Sequence, residues 1–141
     1  MAPGSVGDVQ MSKNIEVSLP KGFISITEDG SEVRKITNFS FGRDGHHTPI
    51  ISGSSLNLKK RDKHHVSSEY PPPNGGAIME YALFFEVPNS ACAFHVGNTT
   101  VDSHGCIHLN LGDAEWLFNW ASRDFVGLTI DGPYPIKHTS V

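Results

Sequence analysis

The chain has little that could hold it together covalently: two cysteines, Cys92 and Cys106, in 141 residues. That is too few for a disulfide scaffold, so folding must rest on a buried apolar core. Cys92 lies in an apolar strand-like pattern and Cys106 in a setting that looks chemical, so two thiols are expected in preference to one disulfide. No stretch approaches the roughly 20 apolar residues of a membrane-spanning helix. Excess positive charge is missing too. Lys and Arg number 11 against 15 Asp and Glu, a net charge of −4. This argues against a nucleic-acid partner, because such binding draws mainly on neutralised phosphates. A secretory signal is not visible, since residues 1–14 have neither a basic start nor an apolar run. The chain is therefore expected to be cytoplasmic, exported by another route, or begun after a removed signal. Residues 1–14 read as a flexible leader and 15–141 as one domain. No internal repeat is evident.

What is present favours a β-rich fold. Hydrophobic residues make up 38%, with 14 Gly and 9 Pro to supply turns. Ile15, Val17 and Leu19 alternate with polar residues, the period of a half-buried strand. Phe23, Ile24 and Ile26 lead into Glu28-Asp29-Gly30-Ser31, a hairpin signal, and Val33 and Ile36 continue an antiparallel meander. Leu56 and Leu58 form a short strand, Ala77 to Val87 and Ala91 to Val96 two more, and Val126, Leu128 and Ile130 the last. The one convincing helix runs from Leu109 to Ala121, with Asn110 as N-cap and Asp113 three positions later. Trp116, Leu117 and Trp120 mark its inner face, which makes both tryptophans core residues. The charged run Lys59 to His65 reads as a solvated loop, and residues 59–76 by position as a candidate lid. The pairs His46-His47 and His64-His65 invite a metal reading, but neighbours on a strand face opposite ways.

The chemistry gathers at Ser103-His104-Gly105-Cys106-Ile107-His108-Leu109, with His95 upstream. A thiol is only a few per cent ionised at neutral pH and needs a base beside it. Gly105 allows a tight turn whose amides could face a developing oxyanion. Nucleophile, base and backbone donors together suit acyl transfer. A coupled His95–Cys106 pair predicts a bell-shaped pH profile. His95, His104, Cys106 and His108 are acceptable zinc ligands by type, but their alternation does not guarantee convergence, and no metal is expected.

The pattern resembles the L,D-transpeptidase (YkuD-type) catalytic domain of bacterial cell-wall enzymes, from about Ile15 to Ile130. Glu28-Asp29-Gly30 is similar to the opening hairpin, Thr48 to Gly53 to the family's Thr-Pro-x-Gly turn with an insertion, and Met79 to Phe85 to the strand before its upstream histidine. Phe94-His95, Ser103 to Ile107 and Asp113 to Leu117 resemble the signature and the helix that follows. The resemblance implies a mainly β sandwich or barrel with one helix after the catalytic cysteine. It implies Cys106 as nucleophile, His95 as general base, and the amides of His104, Gly105 and Cys106 as oxyanion hole. Ser103, His108, Val96 and Gly97 would lie on the substrate side, with backbone near Val96 or Gly97 orienting His95. No metal or organic cofactor is implied. The implied substrate is a peptidoglycan stem peptide, a tetrapeptide donor with an amine or D-amino acid acceptor; water as acceptor would give L,D-carboxypeptidase activity. The implied location is the periplasm or cell envelope, and the expected state a monomer. Such domains also occur as secreted antibacterial effectors, whose partner would be an immunity protein. Two departures stand out: His108 takes the place of the family's usual Arg (or Asn), and the loop from His95 to Cys106 is short. They motivate an alternative, an inactive peptidoglycan-binding module of the same fold.

Overall fold

In a computed structural model, residues 12–43, 46–68, 71, 73–88 and 91–135 are described. The expected leader up to residue 11, part of the connection after residue 68 and the turn at 89–90 lie outside them. Nine strands and one helix follow in the order β1 (Lys13–Ser18), β2 (Phe23–Glu28), β3 (Ser31–Ile36), β4 (Phe39–Ser40), β5 (Ile51–Val66), β6 (Ile78–Phe85), β7 (Ala93–Val96), β8 (Ile107–Leu109), α1 (Leu111–Ala121) and β9 (Val126–Asp131). Lys13 and Asn14, expected in the leader, begin the first strand because they pair with both β2 and β9.

The strands form one mixed sheet in the order β3-β2-β1-β9-β5-β6-β7-β8-β4. The opening meander is antiparallel as the alternation predicts, and its β2–β3 turn places Asp29 and Gly30 at positive φ (53° and 84°), the conformation that an Asp-Gly hairpin supplies. Two pairings are parallel, β1 with β9 and β7 with β8. The long strand β5 joins the two halves, pairing β9 through Ser55 and β6 from Leu56 onward. The halves close on a main core that takes Ile15, Val17, Ile24, Ile26, Leu128 and Ile130 from one side and Leu83, Phe94, Ile107 and Leu109 from the other. No helix among the described residues is long and apolar enough to cross a membrane.

Two expectations need correction. Residues 59–66 are strand, not a solvated loop. Past Ser55 the strand β5 has β6 on one side and no further strand on the other among the described residues. Its Lys59, Lys60 and Lys63 are what an unpaired sheet edge carries to discourage pairing with other chains, while Arg61 turns to the helix, donating to the Phe118 carbonyl at 3.0 Å. The helix matches its forecast boundaries to within two residues, and the Asn110 side chain accepts the Asp113 N–H at 2.8 Å. Its buried face, however, is Ala114, Leu117, Phe118 and Ala121. Trp116 and Trp120 lie half-buried on its flank, stacked at 5.8 Å, with the Arg34 guanidinium over one ring and the Lys13 ammonium over the other.

Candidate active site

The short parallel pair β7–β8 is the platform. It sets Phe94 against Ile107, His95 against His108 and Val96 against Leu109. Successive side chains on a strand point to opposite faces. Phe94, Ile107 and Leu109 enter the main core, so Ala93, His95, Cys106 and His108 share the other face. There Cys106 packs against Met79, Ala82, Phe84 and Ala93. The two-residue spacings seen in the sequence thus put the thiol and both imidazoles on one side of the sheet.

His95 is only 6% exposed, and its Nδ1 lies 2.7 Å from the Val96 carbonyl. A carbonyl only accepts, so this contact assigns the proton to Nδ1 and leaves the Nε2 lone pair as base. Burial pushes its pKa down from 6.5 to about 4, with the nearby His108 and His65 adding to the effect and the Val96 carbonyl opposing it. At neutral pH the ring is uncharged. His108 stands beside it, ring centroids 4.9 Å apart, and its Nδ1 donates to the Asn98 carbonyl at 3.1 Å. The His108 ring lies on the backbone of Gly97, where an added Cβ would come within 2.5 Å of His108 Cγ. Glycine at 97 is what admits the ring. Of the residues expected on the substrate side, Val96 contributes its carbonyl to His95 and Gly97 makes room for His108.

The turn before Cys106 is braced from within. Ser103 is buried; its hydroxyl accepts the Gly105 N–H at 3.0 Å and donates to the Cys106 carbonyl. Thr48 donates to the Gly105 carbonyl at 2.8 Å and accepts the Gly42 N–H at 2.9 Å. Gly105 has φ +117°, and a Cβ there would meet Cys92 Sγ at 3.3 Å. Two sequence expectations change here. The Gly105 N–H, expected among the oxyanion donors, is donated to Ser103. Ser103, expected toward substrate, has its hydroxyl engaged inside the turn. His104 is exposed, and its Nε2 accepts from Arg43 Nη2 at 3.0 Å. Burial, then Arg43 and His46, lower its pKa, so it too is neutral at pH 7.

Cys106 and Cys92 are both thiols. They hydrogen-bond each other; that contact is the largest reason the Cys106 pKa is raised, burial comes next, and the Ala93 amide works the other way. The site therefore rests as thiol and neutral imidazole rather than as an ion pair. Among the described residues no three His, Cys, Asp or Glu side chains gather as a metal site. The histidine pairs diverge: His46 meets His104 and His47 stacks on Tyr134, while His64 faces Glu80 and His65 faces Asp62. Sequence reasoning missed Cys92, His65, Thr48 and Arg43 as neighbours of the site. Only Thr48 carried a signal, in its Thr-Pro turn; the others arrive through pairings between distant segments.

The sequence pattern of the L,D-transpeptidase catalytic domain (YkuD) matches residues 12–133. Among solved structures the fold is similar to an L,D-transpeptidase from Stackebrandtia nassauensis, with a TM-score of 0.71 and 21% identity over 94% of this chain and 62% of that one. It is similar to an L,D-transpeptidase from Mycobacterium smegmatis, with a TM-score of 0.70 and 18% identity over 86% and 59%. It also resembles L,D-transpeptidase 3 from Mycobacterium tuberculosis in complex with a faropenem-derived adduct, with a TM-score of 0.67 and 18% identity over 86% and 61%. The chain spans less than two thirds of each of these proteins. At such identities the likeness is one of fold. No curated protein sequence matches the chain.

Proposed function

The chain belongs to the L,D-transpeptidase catalytic-domain family, and from that premise we propose that it is a cysteine acyltransferase acting on peptidoglycan stem peptides in the cell envelope. The observation that carries this reading is the shared face of β7 and β8, which holds Cys106 on the same side of the sheet as a buried histidine whose Nδ1–H is committed to Val96. His95 Nε2 takes the thiol proton as sulfur attacks the carbonyl of the L-centre that is joined to a D-residue. The Cys106 N–H faces the oxyanion; Gly105 shapes the turn through its positive φ, and Ser103 and Thr48 hold it. The C–N bond breaks, the leaving amine takes the proton from the imidazolium, and a thioester remains. An acceptor amine then attacks that carbonyl, gives its proton to His95 and releases the thiol, as a ping-pong mechanism requires. Water in place of the amine gives carboxypeptidase turnover.

Because the site rests uncharged, proton transfer accompanies attack instead of preceding it. The short loop 97–106 and the replacement of the family's usual Arg by His108 favour an acceptor that needs no fixed cation two residues after the nucleophile. The test is intact-mass spectrometry of the protein with a disaccharide-tetrapeptide, with and without D-Met, beside Cys106→Ala. An adduct on Cys106 with loss of the terminal D-residue, absent in the variant, is the expected result. A penem such as the one bound by the Mycobacterium tuberculosis enzyme is a second probe of the same thiol. A folded protein that forms neither adduct, yet binds sacculi, would be the inactive binding module.

A further inference from the structure

We propose that Cys92 and Cys106 form a reversible redox modification site, in which Cys92 closes a disulfide onto the candidate nucleophile when the protein meets a small-molecule disulfide. The placement comes from the sheet. Phe94 registers against Ile107, so Ala93 lies opposite Cys106, and Cys92 is the residue before it. The backbone of Cys92 is fixed by the bond from the Phe85 N–H to its carbonyl at 2.9 Å. Its sulfur lies under the catalytic turn, 3.3 Å from where a Cβ on Gly105 would be, and the two thiols hydrogen-bond each other. Both side chains are half-buried, Cys92 at the margin of the main core and Cys106 against the smaller cluster of Met79, Ala82, Phe84 and Ala93. The Cys106 Sγ approaches the Ala91 carbonyl at 4.0 Å, on the same short segment. Gly105 thus serves two ends: its positive φ permits the turn, and its missing Cβ leaves Cys92 Sγ uncrowded.

The chemistry balances with a low-molecular-weight disulfide as oxidant. One protein thiolate attacks an oxidant sulfur, forming a mixed disulfide and releasing one small thiol. The second protein thiolate then attacks the protein-side sulfur, closing Cys92–Cys106 and releasing the other small thiol. The protein loses two protons and two electrons, and the two small thiols that leave carry them. Oxidised Cys106 has no thiol to alkylate or acylate, and a small dithiol restores it.

The experiment needs no peptidoglycan substrate, so it stands or falls apart from the proposed activity. The full chain is incubated with oxidised glutathione and read by intact mass and peptide mapping under non-reducing conditions. The expected product is two hydrogens lighter, with a Cys92–Cys106 linked peptide, complete loss of iodoacetamide labelling at both positions, and recovery with dithiothreitol. Cys92→Ser under the same treatment should end as a stable glutathione adduct on Cys106. A wild-type protein that stops at a glutathione adduct on Cys106, with Cys92 still open to alkylation, overturns the proposal. That reading is made on the wild-type chain, so it holds even if the variant does not fold.

Discussion

At the scale of single residues, His95 makes the sharpest prediction. Its imidazole titrates near 6.5 when unfolded and at about 4 when folded, because burial disfavours the charged ring. Between those values the unfolded chain binds more protons, so stability rises with pH across that window and is lost as pH falls through it. A shift of this size corresponds to about 3 kcal/mol. Urea midpoints should therefore drop between pH 6.5 and 4, and His95→Gln should remove much of that slope. An unchanged midpoint in the wild type would mean that the folded ring is charged. For activity, the acid limb should fall near pH 4, and the alkaline limb should lie above the ordinary thiol range because Cys92 and burial hold the Cys106 proton. The bell expected from a coupled pair thus widens into a plateau across neutral pH, its limbs belonging to the pair. Gly105 gives a second test. Gly105→Ala must adopt φ +117° and place a methyl 3.3 Å from Cys92 Sγ. Strain of this kind costs about 1–3 kcal/mol, so the thermal midpoint should fall, and Cys106 alkylation should change with it as the turn shifts. Unaltered stability and labelling would show that the turn does not depend on glycine.

At the scale of elements, the helix and the long strand make opposite points. The helix was legible because its signals are local. Asn110 accepts the Asp113 N–H, and that cap is lost in Asn110→Ala, which should destabilise by about 1 kcal/mol in chemical denaturation without altering thiol labelling. Which of its faces is buried was less legible. Trp116 and Trp120 have the area to be core residues, yet flanking cations and a partner ring satisfy them at the surface, while the smaller Ala114 and Ala121 let the helix approach the sheet. The run at 59–65 misled for a different reason. A strand paired on one side needs charges to prevent edge pairing, and charge is also the mark of a loop. Replacing Lys59, Lys60 and Lys63 together with Val or Thr should therefore leave the chain folded and promote self-association, read by light scattering. A triple variant that associates no more than the wild type at high concentration would remove the edge-protection argument.

At the scale of the whole molecule, the first and last strands meet in the middle of the sheet. β1 lies between β2 and β9, and its parallel register with β9 joins residues 13–18 to residues 126–131. Ile15 and Val17 are fully buried on the same core as Leu128 and Ile130. Removing residues 12–18 should therefore prevent folding instead of trimming a tail, and loss of the cooperative thermal transition would show it. The sequence by itself determined what depends on neighbours along the chain: the period of the strands, the Asp-Gly hairpin, the capped helix, and the spacing that puts His95 and Cys106 at the ends of one short loop. Those features need only local sterics and hydrogen bonds to be read. The tertiary structure alone decided what depends on which distant segments pair. The parallel β7–β8 register put the thiol and both imidazoles on one face, the β6–β7 connection brought Cys92 under the turn, and Ser103 took the Gly105 amide. Side-chain contacts of that kind follow from strand order and register, which are set by how the whole core closes, and no window of the sequence contains both partners.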